Sequence, residues 1–148
     1  MIAAAAHRLG FVGARKGRGV VLLSGPGHEL DAFAAALRAR FPRLNVYATA
    51  PGEGQLQLSG LPRTPSACRR LLARTRAHAV VVAGGAPGVA PMVDAARRSG
   101  IVTAIVAPAG AVDVAAFDYA LLPTAERATE DGRIIDVASP DAPTRLLD

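Results

Sequence analysis

Residues 78–83, His-Ala-Val-Val-Val-Ala, restrict this chain more than any other segment. An almost unbroken run of valine and alanine, with no polar alternation, reads as a strand covered on both faces. Helical patterns flank it. Thr64-Pro65 supplies a capping hydroxyl followed by proline at the first helical position, and that helix runs to about Arg76. Val89–Ser99 reads as a second helix, closed by Gly100 as a C-cap. A both-sides-buried strand between two helices predicts a parallel sheet with helices on its faces.

The same alternation runs along most of the chain. Gly19–Leu23, Leu44–Ala48, Ile101–Val106 and Phe117–Leu122 read as strands, with Gln55–Leu58 and Arg133–Val137 as candidate short additions. Leu30–Phe41 carries Leu30, Phe33, Ala34, Leu37 and Phe41 at near-helical spacing and is stopped by Pro42. The expected fold class is α/β: a Rossmann-like three-layer α/β/α domain with a mostly parallel sheet of five to six strands. Its expected bounds are 18–123. Residues 1–17 read as a basic leader, with Arg8, Arg15 and Lys16 beside Arg18, and 124–148 as a C-terminal tail.

Composition narrows the function classes. With 51% hydrophobic residues and only 4% aromatics, the core is expected to be aliphatic and the chain ordered. No apolar run approaches the about 20 residues that span a bilayer. No transmembrane segment is therefore expected, and a cytoplasmic location is. The net charge is +5, carried almost wholly by arginine, which suits bidentate contact with phosphate and carboxylate. With two tyrosines, four phenylalanines and no tryptophan, stacking platforms are scarce, so no specific nucleic-acid binding is expected. The single cysteine, Cys68, excludes an internal disulfide and reads as a buried structural thiol. His7, His28 and His78 are dispersed, so no metal site is expected. Arg69, Arg70, Arg74 and Arg76 crowd one helix and read mainly as a solvated face.

Ser24-Gly25-Pro26-Gly27-His28-Glu29 joins the first strand to the first helix. A glycine-rich turn at that position is where α/β sheets place ligands, and helix-start N–H groups attract anions. It is not a dinucleotide fingerprint, which needs three patterned glycines and an acidic residue after the next strand; here that strand ends in Ala48-Thr49-Ala50. Nor is there a Gly-Lys-Ser or Gly-Lys-Thr P-loop. Glu29 is the candidate base. Ser24, Gly25, Gly27 and His28, with Gly84 and Gly85 in the turn after His78–Ala83, are candidate acceptor or anion contacts. Glu29 and Asp31 also suit a helix start on dipole grounds alone.

Between Gly17 and Glu126 the chain resembles the N-terminal domain of bacterial Kdo (3-deoxy-D-manno-octulosonic acid) transferases, glycosyltransferases of the GT-B type. The turn through Glu29 is similar to their Ser-Val-Gly-Glu turn. Leu37–Pro42, Val46–Thr49, Leu61–Leu72, Ala95–Ile101 and Phe117–Leu122 are similar to their following helices and strands. The resemblance implies transfer of Kdo from CMP-Kdo to a lipid A precursor, with Glu29 as base. CMP-Kdo would be a donor substrate, and no cofactor is implied. It also implies placement at the inner face of the inner membrane. The chain departs from the family at Ala83-Gly84-Gly85-Ala86-Pro87-Gly88, where the family has a Glu-Ser-Glu-x-Trp-Pro-type motif, and at Ala107-Pro108-Ala109-Gly110, where it has an Asn-x-Arg-type turn. A truncated or degenerate relative is therefore expected. It would not be active as an isolated chain, and a second glycosyltransferase half or a homo-oligomer would complete the site.

Two other classes fit the residues. One is a non-catalytic Rossmann-like module that binds an anionic ligand or a partner protein. The other is a degenerate NYN-type nuclease domain, suggested by the strand, glycine turn and helix of Val80–Ser99. That family needs clustered aspartates, which the turn lacks.

Overall fold

The structure, a computed structural model, describes residues 9, 17–23, 29–49, 56–58, 61–83, 88–106, 117–122 and 134–136. Side-chain surroundings are described for these except 29–32, 57, 120–122 and 134–136. In chain order the elements are β1 (Gly19–Leu23), α1 (Glu29–Arg40), β2 (Asn45–Ala48), β3 (Leu56–Gln57), α2 (Pro65–Thr75) and β4 (Ala77–Ala83). They continue with α3 (Ala90–Arg98), β5 (Val102–Val106), β6 (Tyr119–Leu122) and β7 (Ile134–Asp136).

The strands form one sheet in the order β3-β2-β1-β4-β5-β6-β7, and every pairing in it is parallel. This is an α/β fold. The expected count of five to six strands needs correction. Four strands, β1, β2, β4 and β5, make the buried middle, and short margins bring the paired total to seven. The two short margins fall within the candidate additions Gln55–Leu58 and Arg133–Val137, and with two and three residues each is too short for its period to decide a strand. Ile134–Asp136 lies within the segment read as a tail, yet it pairs with β6.

Alternation along the strands builds two cores. Val20 and Leu22 of β1, with Ala79, Val81 and Ala83 of β4, face Phe33, Ala34 and Leu37 of α1. Val21 and Leu23, with Val80 and Val82, face Cys68, Leu71 and Leu72 of α2 and Met92, Ala95 and Ala96 of α3. The unbroken apolar run of β4 is thereby explained: both of its faces are covered. Burying each of Phe33, Leu37, Leu71 and Met92 contributes about 1.5–3 kcal/mol.

Local chemistry sets the helix ends. Thr64 is extended, and its Oγ1 accepts a hydrogen bond from Ala67 N–H at 3.3 Å, with Pro65 opening α2. After α3, Gly100 sits at φ +73°; its N–H donates to Arg97 O at 3.2 Å and Ile101 N–H donates to Ala96 O at 2.8 Å. That pair of bonds is a Schellman closure, which favours glycine in the left-handed position. α2 ends differently, on Arg76 itself in the left-handed region at φ 50°. Arg76 O then accepts from Gly19 N–H at 3.0 Å, tying the end of α2 to the start of β1.

Candidate functional site

The strand order defines where the sheet can hold a ligand. From β1 the chain steps to β2 and β3 in one direction; from β4 it steps to β5, β6 and β7 in the other. Crossovers of one hand that reverse direction must pass over opposite faces. The cores agree, with α1 on one face and α2 and α3 on the other. The chain therefore leaves β1 toward one face and leaves its neighbour β4 toward the opposite face. Such a switch point is where open α/β sheets bind ligands, outside the carboxyl ends of the strands.

Pairing of Leu23 with Val82 puts those two strand ends side by side, about 4.8 Å apart. Ala83 pairs in turn with Val106 of β5. The two turns singled out in the sequence thus begin from adjacent strands at one edge of the sheet. Glu29 is the first residue of α1, so its backbone stands at the helix amino end, where the macrodipole favours a carboxylate. Its side chain is outside the described atoms. Ser24, Gly25, Gly27, His28, Gly84 and Gly85 lie outside the described residues, as does the turn at Pro108-Ala109-Gly110.

The remaining candidates fall elsewhere. Cys68 is fully buried, with Sγ 3.6 Å from Pro62 O, and burial pushes its thiol pKa up. A raised thiol value suits a structural role and not a nucleophile. Among the described residues no group of three or more His, Cys, Asp or Glu gathers as it would around a metal ion. No helix among them is long and apolar enough to cross a membrane. Arg69, Arg70, Arg74 and Arg76 are all exposed, and Arg70 Nη1 donates to Leu9 O at 2.5 Å.

One polar device was missed in the sequence. Thr103 of β5 is fully buried, and its N–H and Oγ1 both donate to Asp118 Oδ2, at 2.8 and 3.2 Å. Asp118 N–H donates back to Thr103 O at 3.0 Å. The exchange pins the approach to β6 against the first residues of β5, at the edge of the sheet where the strands begin. Its partners are 15 residues apart, beyond the reach of any local pattern.

Comparison with family profiles, with curated proteins and with solved structures gave no match.

Proposed function

We propose that this chain is a Rossmann-like module that binds an anionic ligand at the carboxyl ends of β1 and β4. The observation that carries this is the reversal of strand order between them. The glycine turns 24–28 and 84–88 follow those two strands, and glycine permits close backbone approach to a ligand. α1 opens at the same edge, and helix-start N–H groups favour negative charge. Fold alone assigns no reaction. Calorimetric titration with nucleotides and sugar phosphates tests the proposal. Gly84→Asp puts a carboxylate beside the ligand and is expected to weaken binding by about tenfold. Binding unaffected by Gly84→Asp would count against the crevice.

Glycosyl transfer is the second reading, favoured by the position of Glu29 as the first residue of α1. In it, the Glu29 carboxylate takes the proton of an acceptor hydroxyl as that oxygen attacks the anomeric carbon of CMP-Kdo and CMP departs. A lipid A precursor is the acceptor, and a separate donor-binding half completes the site. Glu29→Gln should then abolish transfer in the completed enzyme while leaving acceptor binding intact; unchanged transfer removes Glu29 as the base.

A further inference from the structure

The opposite edge of the sheet carries a cavity of about 470 Å³, lined by Gly17, Arg18, Arg40, Phe41, Pro42, Arg43 and Leu44. We infer that this cavity binds a multiply charged phosphate group carried on a small organic body. Three arginines surround it, all exposed, and among the described residues no carboxylate lines it. Guanidinium forks match phosphate bidentately and hold their charge at every physiological pH.

The arginines are positioned and not merely clustered. Phe41, Pro42, Arg43 and Leu44 form a turn closed by Leu44 N–H donating to Phe41 O at 3.0 Å. Pro42 stands second in that turn, where its fixed φ belongs. Arg18 O accepts from Asn45 N–H at 2.9 Å, so β1's leading residue is tied to the residue after the turn. Gly17 passes close to Arg43: a Cβ there would meet Arg43 O at 3.6 Å. The guanidinium carbons of Arg18 and Arg40 lie 5.9 and 5.6 Å from the Phe41 ring centroid. Cation–π contact at that distance restrains both side chains before any ligand arrives.

Charge and size define the ligand class. The carboxyl end of α1 repels anions with about half an elementary charge, which three guanidinium groups exceed. The volume lies within the about 300–1,000 Å³ of small-molecule sites and is too large for inorganic phosphate alone. Phe41, Pro42 and Leu44 offer apolar surface to the remainder of the ligand. The phosphate could be that of a free nucleotide or sugar phosphate, or of a lipid headgroup. The inference does not rest on the crevice at the other edge, and the variants below separate the two sites.

The test is titration with CMP, and separately with vesicles of phosphatidic acid in phosphatidylcholine. It uses the full chain, Arg18→Ala/Arg43→Ala, and Arg69→Ala/Arg76→Ala. The last pair removes equal charge from a different cavity at this edge, one that Arg69 and Arg76 line. Losing two charge-assisted contacts is expected to weaken binding by about tenfold to a hundredfold in the first pair, with less than about threefold change in the second. CMP binding with that pattern supports the site with a free phosphate ligand; vesicle binding alone with that pattern supports it with a lipid headgroup. Equal weakening in both pairs, or no binding of either probe, overturns the inference. Both pairs are exposed, so circular dichroism and melting should match the parent.

Discussion

Replacing Gly19 by alanine tests how tightly α2 is seated on the sheet. An added Cβ would lie 2.0 Å from the Thr75 carbonyl oxygen, where real Cβ contacts essentially never fall below 3.0 Å. The start of β1 and the end of α2 must then separate by about 1 Å. Little slack exists for that. Gly19 N–H donates to Arg76 O, Asn45 N–H donates to Arg18 O, and the β1–β4 register already shifts between Gly19 and Val20. Losing one or two of these hydrogen bonds costs about 1 kcal/mol each, and forcing apart a packed core costs about 1–3 kcal/mol more. The expected destabilisation is about 2–5 kcal/mol, a drop in melting temperature of about 5–15 °C for a chain of this length. Gly100→Ala is the matched control. A Cβ at Gly100 meets open space, but φ is +73°, so it should cost only the left-handed penalty of about 1–2 kcal/mol. Differential scanning calorimetry of both variants decides the matter. A Gly19→Ala protein melting within about 2 °C of the parent would refute the seating described here.

Other expectations follow from single residues. Iodoacetamide should label Cys68 slowly in the native protein at pH 8 and quickly after denaturation, because burial raises its thiol pKa. The sign for stability follows: the contribution of a neutral Cys68 is complete below the ordinary thiol value and is lost as pH rises through the raised one, so Cys68→Ala should lessen alkaline destabilisation. Asp118→Ala strands the buried Thr103 N–H and hydroxyl and should cost about 2–3 kcal/mol in urea unfolding. Arg38 Nη1 is buried with no hydrogen-bond partner among the described residues, so Arg38→Met should leave stability unchanged or raise it by about 1 kcal/mol.

Much of the scaffold was legible in the sequence because each strong signal had a local cause. The apolar run of β4 needed two covered faces, and α1 and α2 supply them. Thr64-Pro65 and Gly100 act at the helix ends where they were expected. Effects that depend on long-range approach were not legible. Gly19 read as the first residue of a strand, while its reason for being glycine is the Thr75 carbonyl, brought close only by folding. Arg18 read as part of the basic cluster at the leader and Pro42 as a helix stop, and nothing in the sequence joined Arg40 and Arg43 to them. Only the turn and the parallel pairing of β1 with β2 bring the three arginines to one cavity. The candidate crevice stands between these cases. Its two turns are visible as glycine runs, but that they begin from neighbouring strands depends on a strand order that no local pattern encodes.

Backbone amide chemical shifts, followed during titration with a nucleotide sugar, test the central claim most directly. In the Arg18→Ala/Arg43→Ala protein, whose cavity at the other edge is disabled, binding at the switch point should move the amides of Leu22, Leu23, Leu30 and Ala83, and leave Ala77, His78 and Val102 unmoved. Shifts confined to the edge of Ala77 and Val102, or none at saturating ligand, would contradict it.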